Sequence, residues 1–243
     1  MAFVLFLGAG SDIAAALERE YARAGFDLYL AGRDGGEMGR LAVDLEVRFR
    51  GRAVPLAFDG TDTASHEAFY RGLAPKPVGV VCAVGTLGDQ EKGQEDFTEA
   101  RRILETNFVG CVSILHIAAA DMERRREGFI VGISSVSGER GRAGNYLYGS
   151  AKAGFTAFLS GLRGRLHASG VQVLTVKPGF VHTKMTEHMA LPGPLTAEPG
   201  EVARAIFRAQ RAGKSSIYSK GIWRVIMAVI RLLPESVFLR LKM

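Results

Sequence analysis

Short apolar runs alternate with amphipathic stretches of helical period along the whole chain, and this alternation restricts the fold more than any other feature. The runs are Phe3–Leu7, Asp27–Ala31, Ala53–Phe58, Val78–Ala83, Phe129–Ser134 and Val171–Lys177, with a shorter one at Ser216–Ser219. Helical patterns fall between them near 13–24, 37–50, 64–73, 97–124, 146–169 and 200–212. Strand, helix, strand in strict succession builds a parallel sheet covered on both faces, because each crossover must return the chain to the same end of the sheet. The expected fold is α/β, a doubly wound parallel sheet of about seven strands in a single domain. A chain of 243 residues, 47% apolar and free of low-complexity tracts, suffices for one full core.

Composition removes several function classes. Cys82 and Cys111 lie in apolar surroundings with no CxxC spacing, which suits reduced core residues of a cytosolic chain. His66, His116, His167, His182 and His188 are scattered, so no metal site is expected. The opening "MAFVLFLGAG" lacks a basic leader region, and its apolar run ends after five residues in a glycine turn, so it reads as a buried first strand. A net charge of +6 raises nucleic acid or an anionic membrane as partners. No basic stripe interleaved with aromatics is present, and "ERRRE" (123–127) is neutralised at both ends, so it reads as a solvated helix end and no nucleic-acid partner is expected.

In such sheets ligands bind beyond the carboxyl ends of the strands. "LGAGSDIA" (7–14) joins the first strand to the first helix. Gly8 permits a tight turn, Gly10 allows close approach, and Ser11, Asp12 and Ile13 open a helix whose free N–H groups suit a pyrophosphate. A Rossmann-type dinucleotide site follows. The Asp12 carboxylate would repel a pyrophosphate, so it is expected to turn away and cap the helix. The second strand ends "LYLAGRD", placing Arg33 where a guanidinium suits the 2′-phosphate of NADP. Asp34 beside it leaves NAD open. Asp59, in "LAFDGTD", suits either the adenine edge or a turn. In "YLYGSAK" (146–152), Tyr148 and Lys152 stand at i and i+4 on one helix face, with Tyr146 on roughly the opposite side. An ammonium one turn from a phenol stabilises the phenolate, which suits a general acid.

Five segments in order resemble the short-chain dehydrogenase/reductases: the "GAGSDIA" turn, Asn107 in "LETNFVG", Ser135 in "GISSVSG", the YxxxK of Tyr148 and Lys152, and "KPGFVHT" (177–183). The resemblance implies an NAD(P)-dependent oxidoreductase. Tyr148 would be the general acid, and Lys152 would assist it and hold the nicotinamide ribose. Ser135 would bind the substrate oxygen, and Asn107 would position a relay water. Pro178, Gly179, Val181 and Thr183 would hold the carboxamide. Tyr146 is expected to line the substrate cleft or the core. Two departures stand out: Asp12 and Ala14 replace the usual second and third turn glycines, and Cys82-Ala83-Val84-Gly85 replaces the usual Asn-Asn-Ala-Gly, with Val84 and Gly85 still expected at the cofactor. The resemblance also implies a homo-oligomer through the long fourth and fifth helices, where Ile117, Ala118 and Phe158 would sit.

"VGTLGDQ" (84–90), "SGERGRAGNYLYGSAKAG" (137–154), "KPGFVHTKMTEHM" (177–189) and "WRVIMAVIRLLPESVFLRLK" (223–242) resemble the reductases of lipid-linked keto-pentoses within that family. They imply a lipid-linked or otherwise hydrophobic keto-sugar as substrate. Another ketone, a 3-oxoacyl thioester, or a catalytically idle cofactor sensor or membrane adaptor are the alternatives. The expected division is a dinucleotide-binding and catalytic domain over 1–219 and an amphipathic tail over 220–243. In the tail, Ile222–Leu233 is too short to span a bilayer, which needs about twenty residues. As a helix it carries Arg224 and Arg231 on one side and Trp223, Ile226, Val229, Ile230 and Leu233 on the other, with Val237, Phe238 and Leu241 continuing the apolar surface between Arg240 and Lys242. Such a helix suits a membrane interface, its own domain or a second subunit. "TKMTEHMALPGPLT" (183–196) reads as a substrate lid offering Met185, Met189 and Leu191. His182 and Lys184 near it suit a substrate phosphate or plain exposure. The expected location is the cytoplasm, with the inner face of the membrane as a working place.

Overall fold

The computed structural model describes residues 2–241; Met1, Lys242 and Met243, and with them the end of the 220–243 tail, lie outside the described residues. A seven-stranded parallel sheet runs in the order β3-β2-β1-β4-β5-β6-β9. The strands are β1 (Phe3–Leu7), β2 (Asp27–Gly32), β3 (Ala53–Ala57), β4 (Gly79–Cys82), β5 (Phe129–Ile133), β6 (Gln172–Pro178) and β9 (Ser216–Ser219). β7 (Phe180–Val181) and β8 (Thr196–Ala197) pair separately. Strand order reverses between β1 and β4, which opens a crevice at their carboxyl ends. β1, β4 and β5 are buried at every residue, the reason they read as unbroken apolar runs.

Helices cover both faces. α1 (Asp12–Arg23), α2 (Gly35–Phe49) and α8 (Pro199–Arg211) pack one side, through Leu17, Tyr21, Met38 and Ile206. α3 (His66–Gly72), α6 (Gly110–Arg125) and α7 (Tyr146–Leu166) pack the other, through Tyr70, Ile114, Phe155 and Leu159. α4 (Gln90–Glu95) and α5 (Phe97–Leu104) precede α6. The helix expected over 97–124 contains a π turn at Glu105–Val109. There Asn107 Nδ2 donates to the Ile103 carbonyl at 2.8 Å, taking an acceptor that a regular turn would give to a backbone N–H.

Phe97–Arg125 is long and apolar enough to cross a membrane by length and composition, yet it buries Ile103, Cys111, Ile114, Leu115 and Met122 in the core. Ala118 is fully buried there too, so it belongs to the chain's own interior and not to a subunit contact; Ile117 and Phe158 are partly buried. At the end of α6, Arg125 bonds Asp121 at 2.9 Å and Glu127 at 2.6 Å.

The tail forms α9 (Ile222–Leu232) and the short α10 (Glu235–Phe238). Trp223, Met227, Ile230 and Phe238 are buried against Val136, Phe180, Leu195 and Tyr218. Met227 takes the inward place expected of Val229, which is 56% exposed. Arg140, from the loop after β5, donates to the carbonyls of Ile230 (2.8 Å) and Leu233 (2.6 Å) and so closes the end of α9.

Candidate active site

The carboxyl ends of β1, β2, β4, β5 and β6 open on one cleft of about 580 Å³. Its end beside β1 is shaped by glycine. Gly8 has φ +77°, and a Cβ there would stand 2.9 Å from the Val84 nitrogen, so the β1 turn touches the end of β4. Gly10, Ser11, Asp12 and Ile13 follow along the wall. Ser11, not Asp12, caps α1: its Oγ accepts the Ala14 N–H at 3.2 Å. Asp12 is the first helical residue, and its carboxylate accepts the Lys184 N–H at 2.7 Å. Lys184 Nζ stands 3.3 Å from Glu37, whose carboxylate lies against Gly10. Two acids therefore flank the glycine turn. Glu37 carries no motif; its signal was only its place in the first turn of α2.

Arg33 lines the cleft at the end of β2 and is exposed. The Asp34 carboxylate is turned to α2, where it accepts the Glu37 N–H at 3.0 Å, a bond that holds it below its usual range. Asp59 is a turn aspartate that also lines the cleft. It accepts from Thr61 N–H (2.9 Å) and Oγ1 (2.8 Å), which lower its carboxyl, and the Arg33 charge adds to the effect.

Val84 and Gly85 continue the wall after β4. A Cβ on Gly85 would meet Asn107 Oδ1 at 2.9 Å and Lys152 Nζ at 3.3 Å, so these two groups converge behind that glycine. Asn107 is fully buried and stands behind the lining, which includes its neighbour Thr106. Its Oδ1 accepts the Thr86 N–H at 3.1 Å and its Nδ2 donates to the Thr86 carbonyl at 2.8 Å. Deeper still, Cys82 and Cys111 are free and buried, and their contact and burial push the Cys82 thiol up.

Ser135 lies two residues beyond β5, with Oγ accepting the Ser137 N–H at 3.1 Å, so its own hydroxyl hydrogen remains to be donated. Tyr148 lies in the first turn of α7 and Lys152 one turn on. Lys152 is 3% exposed; its Nζ donates to the Ile133 carbonyl at 3.1 Å and stands 5.7 Å from the centre of the Tyr148 ring. Ser134 Oγ ties the strand to this helix through the Lys152 carbonyl at 3.0 Å. Ser135, Tyr148 and Lys152 all line the cleft. Tyr146 does not; as the first residue of α7 it is 43% exposed, neither in the cleft nor in the core as expected. Pro178, Gly179, Val181 and Thr183 close the opposite side.

The sequence matches the short chain dehydrogenase family over residues 2–191. The chain belongs to that family. It is 38% identical over 241 residues to an uncharacterized oxidoreductase of Mycobacterium tuberculosis, covering 98% of this chain and 96% of that one. It is 30% identical over 190 residues to a serine 3-dehydrogenase of Agrobacterium fabrum, covering 75% and 73%. The fold is that of a short-chain dehydrogenase from Sphingobium yanoikuyae solved in complex with NADPH, with a TM-score of 0.83 at 23% identity over 97% of this chain and 98% of that one.

The end of the cleft beyond Tyr148 is built from parts with no motif. Met185 and Met189 face the cleft from a run of turns, while Leu191 lies outside it. His182 stands outside the lining, its Nε2 3.8 Å from the Glu198 carboxylate, whereas Lys184 lines the cleft with its Nζ 3.3 Å from Glu37. Buried polar atoms without a partner among the described residues gather around the start of α7: Gln90 Nε2, Glu139 Oε2, Arg142 Nε and Asn145 Oδ1. Asn145 lines the cleft three residues before Tyr148, and Gln90 accepts the Leu147 N–H at 3.0 Å. Donors and acceptors left this way call for a polar ligand or water.

Proposed function

We propose that this dehydrogenase is an NADP-dependent reductase of a carbonyl to an alcohol, acting on a lipid-linked keto-pentose or another hydrophobic keto-sugar. The Tyr148–Lys152 pair on one wall of the cleft, beside Ser135, carries the reading. The cleft suits the cofactor: Gly8 and Gly85 stand where a side chain would not fit, the amino end of α1 offers free N–H groups, and Arg33 is exposed at the end of β2. When bound, the nicotinamide cofactor would supply the hydride. Gly10, Ser11, Asp12 and Ile13 would hold its pyrophosphate end, Asp59, Val84 and Gly85 the middle, and Pro178, Gly179, Val181 and Thr183 the nicotinamide end. Arg33 and the NADPH complex of the Sphingobium neighbour favour NADP over NAD.

Tyr148 donates its phenolic proton to the carbonyl oxygen as that oxygen becomes an alkoxide. The Lys152 ammonium stabilises the charge left on the phenol. Ser135 donates a hydrogen bond to the same oxygen, stabilising it as charge develops. Asn107, whose Oδ1 stands near Lys152 Nζ, positions the water that returns the proton.

Two observations favour a keto-sugar. Segments at 84–90, 137–154, 177–189 and 223–242 resemble decaprenylphosphoryl-2-keto-ribose reductase, an enzyme of cell-wall precursor synthesis. Asn145 Oδ1, an unpartnered acceptor of a residue on the cleft wall, suits a hydroxyl of a polyhydroxylated substrate. Met185 and Met189 suit an apolar portion of the same molecule. The reading places catalysis in residues 1–219, a supporting tail at 220–243, a homo-oligomer, and work in the cytoplasm at the inner face of a membrane.

Loss of NADPH absorbance with a polyprenylphosphoryl keto-pentose, run beside NADH, simple ketones and 3-oxoacyl thioesters, tests it. Turnover on the lipid-linked sugar with NADPH is expected. Turnover only on the simple ketones or thioesters would discard the sugar and keep the Tyr148 chemistry. NADPH binding with no turnover on any carbonyl would leave a cofactor sensor.

A further inference from the structure

Helix α9 is apolar nearly all the way round. At about 100° per residue, Trp223, Met227 and Ile230 share the face turned to the domain and are buried. Ile222, Val225, Val229 and Leu232 fall on the far side within an arc of about 80°, and they are 51%, 65%, 56% and 84% exposed. Half of the large apolar side chains exposed among the described residues belong to this tail, with Val237, Leu239 and Leu241 adding to α9. A helix apolar on every side belongs in an interior, and a contiguous exposed apolar patch marks a surface that meets a partner. Charge indicates which partner. Arg224 and Arg231 stand together on one side of the arc, about 80–100° from its edge, Arg240 follows, and all three are exposed. α9 contains no acid, and the acid of the tail, Glu235, is paired with Arg140 at 2.7 Å.

We infer that the outer face of α9 docks flat on an anionic lipid surface while its inner face stays on the domain. A helix of 11 residues is about 16 Å long, half of a bilayer core of about 30 Å, so it lies in the interface and does not cross it. Two-fold pairing with a second copy would bring arginines near arginines with no acid on α9 to answer them; anionic head groups answer them. The location is apt. Trp223 rests on Gly179 and against Phe180, both of which line the cleft, so the lipid surface would stand about one helix diameter, about 10 Å, from the site wall. The inference deepens the reading of a membrane-borne substrate and rests on that reading for its purpose, but its support lies in the outer face alone.

Flotation of the full chain with vesicles of phosphatidylglycerol or of phosphatidylcholine, in the absence of substrate, tests it. The protein is expected to float with phosphatidylglycerol and not with phosphatidylcholine. The double variant Val225→Ser/Leu232→Ser changes only outward side chains and should lower the bound fraction at least about tenfold. Arg224→Gln and Arg231→Gln should lower it about fivefold each. Emission of Trp223, the sole tryptophan, should stay constant on binding, because the inner face does not let go. Absence of flotation, flotation indifferent to the variants, a shift of Trp223 emission, or a dimer that the serine variant dissolves would each overturn the inference. Turnover of a water-soluble ketone, followed in parallel, separates the claims: lost flotation with intact turnover removes only the docking face, and intact flotation with no turnover on any carbonyl removes only the reductase.

Discussion

Replacing Arg140 with methionine should release the tail before the rest of the molecule unfolds. Its guanidinium is 14% exposed and joins the loop after β5 to the end of α9. It donates to the carbonyls of Ile230 and Leu233 at 2.8 and 2.6 Å, reaches Glu235 at 2.7 Å, and lies 4.1 Å over the ring of Phe238. A hydrogen bond involving a charged group contributes about 1.5–3 kcal/mol, and the ring contact about 0.5–2 kcal/mol. Glu235 is 73% exposed, so that ion pair adds at most about 1 kcal/mol. The helix-end carbonyls regain water when Arg140 is gone, which places the expected loss near the low end, about 3 kcal/mol of tail docking. Methionine keeps an apolar contact with Phe238. Trp223 is the only tryptophan and is 4% exposed, so its emission reports the tail while far-ultraviolet circular dichroism reports the whole fold. In urea the two signals should move together for the parent protein, and emission should change first for Arg140→Met. Coincident transitions at an unchanged urea concentration would refute the anchoring.

Gly179→Ala places a methyl group inside the Trp223 indole, so the tail should detach and the cofactor end of the cleft should widen. A red shift of Trp223 emission together with a rise of about tenfold in the KM for NADPH is expected, equivalent to about 1.4 kcal/mol. Arg33→Ala, at an exposed position, should weaken NADPH by about 10- to 100-fold and leave NADH nearly unchanged; equal losses for both would show that Arg33 does not read the 2′-phosphate. Glu18 is fully buried with both carboxylate oxygens unpartnered among the described residues, and burial holds its carboxyl well above the usual value. The folded chain therefore keeps a proton that the unfolded chain releases above about pH 4.5, and stability falls as pH rises beyond that value. Glu18→Gln removes this dependence, so its Tm should exceed the parent's near neutral pH, with the gap closing toward pH about 4.

The sheet was legible because a strand buried on both faces, such as β1, β4 or β5, needs an apolar residue at every position; β1 and the edge strand β9 agree with the sequence-based boundaries to the residue, the other strands of the sheet within one, and the two-residue β7 and β8 were too short to show a pattern. α4 was missed for the converse reason: none of its residues is buried, so no periodicity marks it. Asp12 looked like a cap because either Ser11 or Asp12 can fill that role, and only the turn after Gly10 puts Ser11 at the cap. The glycine turn, Arg33, Ser135, Tyr148 and Lys152 all announce themselves by type and spacing at strand ends and meet in one cleft. Glu37 and Asn145 do not, since their places in its lining follow from tertiary packing. The tail was ambiguous because α9 is apolar on two sides; the gap over Gly179, which only the folded sheet creates, selects Trp223 and Met227 for the inner face over Val229.

The central claim is that Tyr148 delivers the proton in a carbonyl reduction. NADPH oxidation by Tyr148→Phe on whichever carbonyl the parent enzyme accepts, with NADPH affinity measured separately by fluorescence, tests it most directly. The account predicts that kcat falls about a hundred- to ten-thousand-fold while NADPH binds as before. Turnover retained within a few-fold of the parent enzyme would contradict it and move the proton donor elsewhere in the cleft.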